Sequence, residues 1–440
     1  MPRRLALTPD QIRLLASLGF NFLGKAPGVA AVFVILPLVS RSLGTAVYGE
    51  LLSAIALGSL FMLPFGGIST VGRRILASAF GAKDQVGQAN AFMTTTVFMG
   101  AVAIAASALM VGASASSWSR PVFIFVSLMP LLVGFANGFD NARASFNEHY
   151  VTAAFQLVSQ IVIYSLVYFV GLPPGGIILA VLALQSPYLI ASVATLVALL
   201  QRRPYLMRGK IVGVRRMVAP ALGVVMADGA LGALLNLSVY WLKAAGSAEM
   251  AAWVGTFLRL FQSFLSPALL IIFPVTTYIS MRWAQMSPQR QVVLYRVFIL
   301  AGLSYGLLVG CAMAFAGPLY INHMFKLAAH GDNVDVVALS VFLGAIVAQK
   351  AYTMLLYAVS EARFVSFGTA VIAALGMGAA ALSSHWLSPV RVLDVLFVSM
   401  GIGLPALIIV ADYRYKREKR DTIWPDRKSS SGGAPSSGSI

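Results

Sequence analysis

Long apolar runs separated by short polar segments dominate this sequence. A helix that crosses a bilayer needs about 20 mostly apolar residues. Strands of membrane barrels are about 10 residues long and alternate in polarity, which these uniform runs do not. The pattern therefore predicts an all-α polytopic membrane protein with about 12 transmembrane helices, at 14–40, 49–69, 88–112, 121–140, 151–171, 176–200, 218–242, 249–278, 297–316, 335–358, 365–384 and 392–411.

Composition supports the same class. The chain is 59% hydrophobic and 11% charged, and its mean hydropathy is +0.83. A soluble globular chain is about 25% charged, so a soluble protein is excluded. Cys311 is the sole cysteine, so no intramolecular disulfide can form. The four histidines lack metal-ligand spacing, and we expect no metal or other cofactor.

A strongly basic segment, 201–217, divides the apolar runs into two nearly equal parts. The predicted organisation is a tail at 1–13, a first half of six spans at 14–200 and a second at 218–411. The end of the chain, 412–440, is first basic and then rich in Ser and Gly, and we expect that last stretch to be disordered. The basic part of the tail is expected to contact anionic lipids, not nucleic acid.

The distribution of charge predicts the orientation of the chain. With the N-terminus in the cytoplasm and 12 alternating spans, 24 Lys and Arg residues lie on the inner side and five on the outer side. Positive residues concentrate on the cytoplasmic side of membrane proteins. Both termini are therefore predicted to be cytoplasmic.

Three of the 32 Lys and Arg residues belong to neither side of the membrane, because they fall near the middle of predicted spans: Lys25, Arg259 and Lys350. A central Lys or Arg that faces lipid costs about 2.5–3.5 kcal/mol, so these side chains should face protein or a water-filled cavity. Asn21 shares a helical face with Lys25, and Gln262 shares one with Arg259. These five residues are the predicted substrate-binding site.

One anion, Asp228, lies in the middle of the seventh predicted span. It could neutralise one of the three cations in a structural pair, but two cations would then stay unpaired in the membrane, which is costly. We favour a solute pathway in which Asp228 binds a coupling ion, H⁺ or Na⁺.

Helix-breaking residues interrupt the first and seventh predicted spans, which hold corresponding places in the two halves. Such paired interruptions often mark the binding site of a secondary transporter. They are Gly24, Pro27, Gly28 and Pro37 in the first span, and Pro220, Gly223, Gly229 and Gly232 in the seventh.

An enzyme is the less favoured class. The longest segments outside the predicted spans, apart from the tail, have about 17–18 residues (201–217 and 317–334). They carry no P-loop, no nucleophile constellation and no paired-carboxylate signature. A transporter without its own nucleotide-binding domain is predicted.

A family resemblance becomes specific in the segment ILPLVSRSLGTAVYGELLSAIAL, which is followed by GRRILASAF. The pattern P-x-x-x-R-x-L-G-x-x-x-Y-G, at Pro37, Arg41, Gly44, Tyr48 and Gly49 with Leu43 between them, resembles the polysaccharide (O-antigen type) flippases. These belong to the multidrug/oligosaccharidyl-lipid/polysaccharide exporter superfamily. On the pattern alone, Arg41 and Gly44 form a turn between two helices.

The resemblance implies two six-helix lobes in a V shape around a cationic central cavity. It also implies translocation of polyprenyl-pyrophosphate-linked oligosaccharides across the bacterial inner membrane by alternating access, for surface polysaccharide synthesis. A polysaccharide polymerase and co-polymerase are candidate partners. The alternatives are a cation-coupled multidrug exporter of the same superfamily and a non-transporting scaffold of an envelope synthesis complex.

Related flippases of peptidoglycan precursors carry cavity cations on the first and eighth helices, and Lys25 and Arg259 match these in helix number and depth. A lysine lacks the forked geometry with which arginine binds a phosphate through two donors. About 12 spans, where the peptidoglycan branch typically has 14, favour the polysaccharide branch.

Overall fold

The computed structural model describes residues 9–114, 120–146, 148–245, 247–282, 286–327, 335–358 and 363–423, and within these ranges all regular structure is helical. The predicted all-α class is confirmed. The helices are α1 (Pro9–Leu43), α2 (Thr45–Phe61), α3 (Leu63–Gly81), α4 (Gln85–Ser114), α5 (Arg120–Met129), α6 (Phe135–Ala144), α7 (His149–Val170), α8 (Ile177–Arg202), α9 (Val214–Val224), α10 (Ala230–Ala244), α11 (Ala248–Arg282), α12 (Pro288–Phe325), α13 (Val336–Ala358), α14 (Arg363–Ser383) and α15 (Pro389–Ile423).

Eight helices in the described part of the chain are long and apolar enough to cross a membrane, and a ninth span is added if the bent pair α2–α3 crosses as one unit. The chain is thus a multi-pass membrane protein, while the number 12 stays a prediction. Two predicted spans, 121–140 and 218–242, are each formed by two shorter helices joined through one π-helical turn, at Pro130–Gly134 and at Val225–Gly229.

The expected interruption of the first span is wrong as stated. α1 runs without a break from Pro9 to Leu43, with Pro27 and Pro37 inside it. Its backbone is supported by α7: a Cβ on Gly24 would lie 2.6 Å from the carbonyl oxygen of Ala153. Neighbouring helices of this kind let a membrane helix tolerate proline. In the seventh span the only departure from α-helix is the π-helical turn, which contains Gly229; Pro220 and Gly223 lie inside α9 and Gly232 inside α10, so these three do not interrupt it.

The predicted turn between the first two helices is confirmed at Gly44. Its φ of 74° lies in the left-handed region that favours glycine. Its N–H bonds to the carbonyl of Ser40, and its carbonyl accepts from the N–H of Tyr48, both at 3.0 Å. We call this end of the bundle, where α1 ends and α2 begins, the Gly44 end; the charge distribution predicts that it is the outer end.

The connection between α8 and α9 lies against α4. The N–H of Lys210 donates to Oδ1 of Asn90 at 2.7 Å, and the N–H of Val212 donates to Oγ1 of Thr94 at 3.0 Å. The basic segment between the two halves of the chain is therefore fixed to the N-terminal half for part of its length.

Helices α1–α8, here the N-terminal half, and α9–α15, the C-terminal half, meet along α1, α2 and α3, with α1 packed against α11. α2 packs against α10 and α11, and α3 packs against α9. Large side chains fill this contact, among them Tyr48, Leu51, Trp253 and Phe257, and each is at most 1% exposed. The main core of the protein thus lies between the halves, next to the cavity described below.

Candidate functional site

A cavity of about 230 Å³ opens between the two halves. α1, α2, α7 and α8 form its wall in the N-terminal half, and α11 forms its wall in the C-terminal half. Its polar and charged lining residues are Lys25, Tyr164, Gln185, Tyr188, Arg259, Gln262, Ser263 and Ser266.

Lys25 is half-buried in the wall formed by α1. Its Nζ lies 5.6 Å from the centroid of the Tyr188 ring on α8, within the range of a cation–π contact. The ring attracts the ammonium group without neutralising it, so the positive charge of Lys25 is retained at the cavity.

Arg259 faces Lys25 from the other half of the protein. Its Nη1 donates to Oε1 of Gln262 at 3.2 Å. A guanidinium group has five N–H donors, so this bond leaves most of them for another acceptor. The hydroxyls of Ser263 and Ser266 donate to main-chain carbonyls of their own helix, at 3.3 and 2.8 Å. Both hydroxyls are uncharged, so they leave the charge of the arginine in place.

The charge of the cavity is positive. Its described lining includes two cations and no Asp or Glu. In the described part of the chain, no carboxylate forms an ion pair with Lys25 or Arg259. The same residues contain no group of three or more Asp, Glu, His or Cys side chains that could hold a metal ion. An anionic ligand is the species that this lining can stabilise.

Of the predicted site residues, the structure brings together Lys25, Arg259 and Gln262. Lys350 is half-buried on α13 and is not among the described residues that line the cavity. Asp228 belongs to the π-helical turn after α9. Its side chain and that of Asn21 lie outside the described part of the structure.

Sequence reasoning missed the wall formed by α7 and α8. Tyr164, Gln185 and Tyr188 line the cavity there, with Gln185 and Tyr188 three residues apart on one helical face. Polar side chains at this spacing inside an apolar run were the available signal. An uncharged side chain is less costly in a membrane span than a lysine, so it indicates a cavity less strongly.

An aromatic layer, made of Phe33, Tyr48, Tyr320 and Phe325, joins the halves on the Gly44 side of the cavity. The rings of Tyr48 and Phe325 stack with centroids 6.1 Å apart. Tyr320 donates a hydrogen bond of 2.8 Å to the carbonyl of Val32, and its ring lies 5.0 Å from that of Phe33. The halves are thus held together at one end of the cavity.

The fold is that of transporters of one superfamily. A multidrug resistance MATE family transporter of the MOP superfamily, solved in an inward-facing conformation, shares 12% identity over 92% of this chain and 98% of its own, with a TM-score of 0.64. An outward-facing structure of such a transporter gives 14% identity, 94% and 97% coverage, and a TM-score of 0.64.

A MOP superfamily transporter from Pyrococcus furiosus is similar to the same degree, with 15% identity over 94% of this chain and 96% of its own and a TM-score of 0.64. It is described as having a binding pocket of reverse polarity that suggests a different function. No protein-family model and no curated protein matches the sequence. At these identities the likeness shows the fold.

Proposed function

We propose that this protein is a flippase that moves polyprenyl-pyrophosphate-linked oligosaccharides across the bacterial inner membrane by alternating access, for surface polysaccharide synthesis. One observation carries the proposal: Lys25 and Arg259 line one cavity from opposite halves, and its described lining contains no carboxylate. The passage of a pyrophosphate through hydrocarbon is prohibitively costly, and two opposed cations offer it replacement solvation.

The fold supports movement of a substrate between two sides of the membrane, since solved transporters that share it occur in inward-facing and outward-facing conformations. Arg259 can hold one phosphate oxygen pair through its forked donors, and Lys25 acts as a point charge. The polyprenyl chain stays in lipid while the head group crosses. Asp228, in the π-helical turn after α9, is the proposed H⁺ or Na⁺ site that drives the cycle.

A multidrug exporter is the competing function, because the fold is shared with proteins described as multidrug transporters. The sign of the cavity charge weighs against it for cationic drugs, which Lys25 and Arg259 would repel. A scaffold that transports nothing is the other alternative, and it would not depend on these two charges.

The test is complementation of a deletion in the native host. The chain is supplied as wild type, Lys25→Ala, Arg259→Ala or Asp228→Asn, with membrane levels checked by immunoblot. Arg215→Ala is the matched control, since it removes one positive charge from an exposed position away from the cavity. The readouts are surface polysaccharide and lipid-linked oligosaccharide retained inside the cell.

We expect the three site variants to be made at normal levels, to lose surface polysaccharide and to accumulate the lipid-linked intermediate, with Arg215→Ala unaffected. Normal export by Lys25→Ala and Arg259→Ala would contradict the proposal and favour the scaffold. Increased drug sensitivity without accumulated intermediate would favour the exporter.

A further inference from the structure

The amide of Gln160 is buried beside the cavity without a hydrogen-bond partner. The side chain, on α7, is 0% exposed, and neither Oε1 nor Nε2 has a partner in the described part of the structure. Buried polar atoms nearly always have one. Within the described residues, this amide therefore has one acceptor oxygen and one donor nitrogen that no protein group uses.

This amide packs against α1 at Gly28, next to the cavity. Gly28 lines the cavity and has no side chain to separate it from α7. A Cβ at Gly28 would lie 3.3 Å from Oε1 of Gln160, 3.4 Å from Nε2 and 3.2 Å from the hydroxyl of Tyr188. Three polar atoms from two neighbouring helices thus converge on the one cavity-lining position where α1 exposes only backbone.

The chemistry of these groups differs from that of the two cations. An amide and a phenol each offer a donor and an acceptor, which neither a lysine nor an arginine does. A sugar hydroxyl or N-acetyl group has the matching pair of functions, whereas a phosphate dianion has acceptors alone. Tyr188 also adjoins Lys25, at 5.6 Å from Nζ to the ring centroid, so a group bound here would adjoin a phosphate on Lys25.

We infer that Gly28, Gln160 and Tyr188 form a sugar subsite, which binds the saccharide unit attached directly to the pyrophosphate. The inference rests on the proposed function and adds to it a recognition element: the cations hold the phosphates, and the Gln160 amide distinguishes a glycosylated carrier from a bare one. An empty carrier returning to the inner leaflet would then be a poorer ligand than a loaded one.

Binding to the purified full-length chain in nanodiscs tests the inference. The two probes are polyprenyl pyrophosphate without sugar and polyprenyl pyrophosphate that carries one N-acetylhexosamine. The variants are Gln160→Leu, which keeps the volume and removes the donor and acceptor, and Gly28→Ala, which places a methyl group against the converging atoms. Thr195→Val is the control, since its hydroxyl is equally buried and without a partner on α8 but is not among the atoms closest to Gly28.

We expect wild type and Thr195→Val to bind the glycosylated lipid roughly five- to tenfold more tightly than the bare one, the effect of about one hydrogen bond. Gln160→Leu and Gly28→Ala should bind the two lipids with equal affinity. A wild-type ratio near one, or a ratio that survives both variants, overturns the subsite and leaves the flippase proposal standing. If wild type binds neither lipid, the flippase proposal fails and the subsite with it.

Discussion

The hydroxyl groups of Tyr48 and Thr256 lie 3.2 Å apart and join α2 to α11 by a hydrogen bond inside the protein. Both side chains are 0% exposed. Thr256 lies one helical turn from Arg259, so this bond links the halves close to the cavity on its Gly44 side, as the bond from Tyr320 to Val32 also does. It is expected to form and break as that end closes and opens.

Removal of this bond should favour conformations that are open at the Gly44 end. Tyr48→Phe keeps the ring stacked on Phe325 and loses about 1 kcal/mol of hydrogen bonding, equivalent to about a fivefold change in the equilibrium. The measurement is the labelling rate of a cysteine introduced at Ser263, in a Cys311→Ser background, by an impermeant maleimide. Labelling is followed in whole cells and in inverted vesicles.

We expect faster labelling from the side of the Gly44 end and slower labelling from the opposite side. Tyr168→Phe, at an exposed tyrosine near the same end, is the control. Equal rates for Tyr48→Phe and the parent protein on both sides would show that this bond does not contribute to closure.

The two cavity cations should lower the stability of the unliganded protein. Each is held without a carboxylate partner in the described part of the chain, and an uncompensated charge in a partly buried site is destabilising. Replacement of Lys25 by Met, which keeps the volume, should raise the melting temperature by about 1 °C, as expected for about 1 kcal/mol in a chain of 440 residues with an unfolding entropy of about 2.1 cal/mol/K per residue. The variant should also lose most of the stabilisation that added polyprenyl pyrophosphate gives the parent.

The measurement is thermal unfolding in detergent with and without that lipid, and Arg215→Met serves as the exposed control. A structural role for Lys25 predicts the opposite sign, a lower melting temperature in the unliganded state. That result would exclude the interpretation of Lys25 as a ligand-binding charge held at a cost to stability.

Some features of the fold and of the candidate site could be predicted from the sequence, because a charge or a glycine at that position has few energetic alternatives. Lys25 and Arg259 were predictable because a charge in the middle of an apolar run has few energetic alternatives to a cavity. The Gly44 turn was predictable because its motif requires a residue that tolerates positive φ. The same energetic argument singled out Lys350, but α13 does not bring it to the described cavity lining, since depth in the membrane does not fix which way a helix faces.

Other features could not be predicted from the sequence, because they depend on contacts between helices. α1 continues through Pro27 and packs closely against α7 at Gly24, a tertiary contact that no local pattern reveals. The π-helical turns at Pro130–Gly134 and Val225–Gly229 add one residue to a helical turn without a distinctive sequence. Gln160 is recognised as unusual only when its missing hydrogen bonds are seen.

A charged cluster at the end opposite Gly44 should contribute strongly to stability. Glu148 accepts two hydrogen bonds from Arg203, at 2.8 and 3.2 Å, and lies 3.8 Å from Nε of Arg143, whose side chain is 0% exposed. Burial lowers the pKa of the Arg143 guanidinium, and the Glu148 carboxylate opposes that shift. One carboxylate thus serves two arginines.

Glu148→Gln should therefore lower the free energy of unfolding more than Arg203→Gln does. The first change leaves two arginines without a counter-ion and should destabilise by about 3 kcal/mol, the lower end of the range for a buried ion pair that loses one partner. The second leaves Glu148 free to pair with Arg143. The measurement is thermal unfolding of both variants in detergent, and equal or reversed losses would show that Arg143 does not depend on Glu148.

Close approach of α12 and α13 requires glycine at Gly344. A Cβ there would lie 2.6 Å from the carbonyl oxygen of Gly306, and a rigid backbone atom cannot move aside as a flexible side chain does. Gly344→Ala must push the two helices apart, and overpacking of this kind typically costs about 1–3 kcal/mol. Gly378→Ala is the matched control, because a Cβ on that residue of α14 meets nothing within 4 Å.

The pair is compared by yield of monodisperse protein on gel filtration and by melting temperature. We expect Gly344→Ala to lower both, and Gly378→Ala to leave them unchanged or raise the melting temperature slightly, because alanine favours a helix over glycine by about 1 kcal/mol in water. Similar values for the two variants would mean that α12 and α13 can separate without loss. Their contact would then not be one of the rigid supports of the C-terminal half.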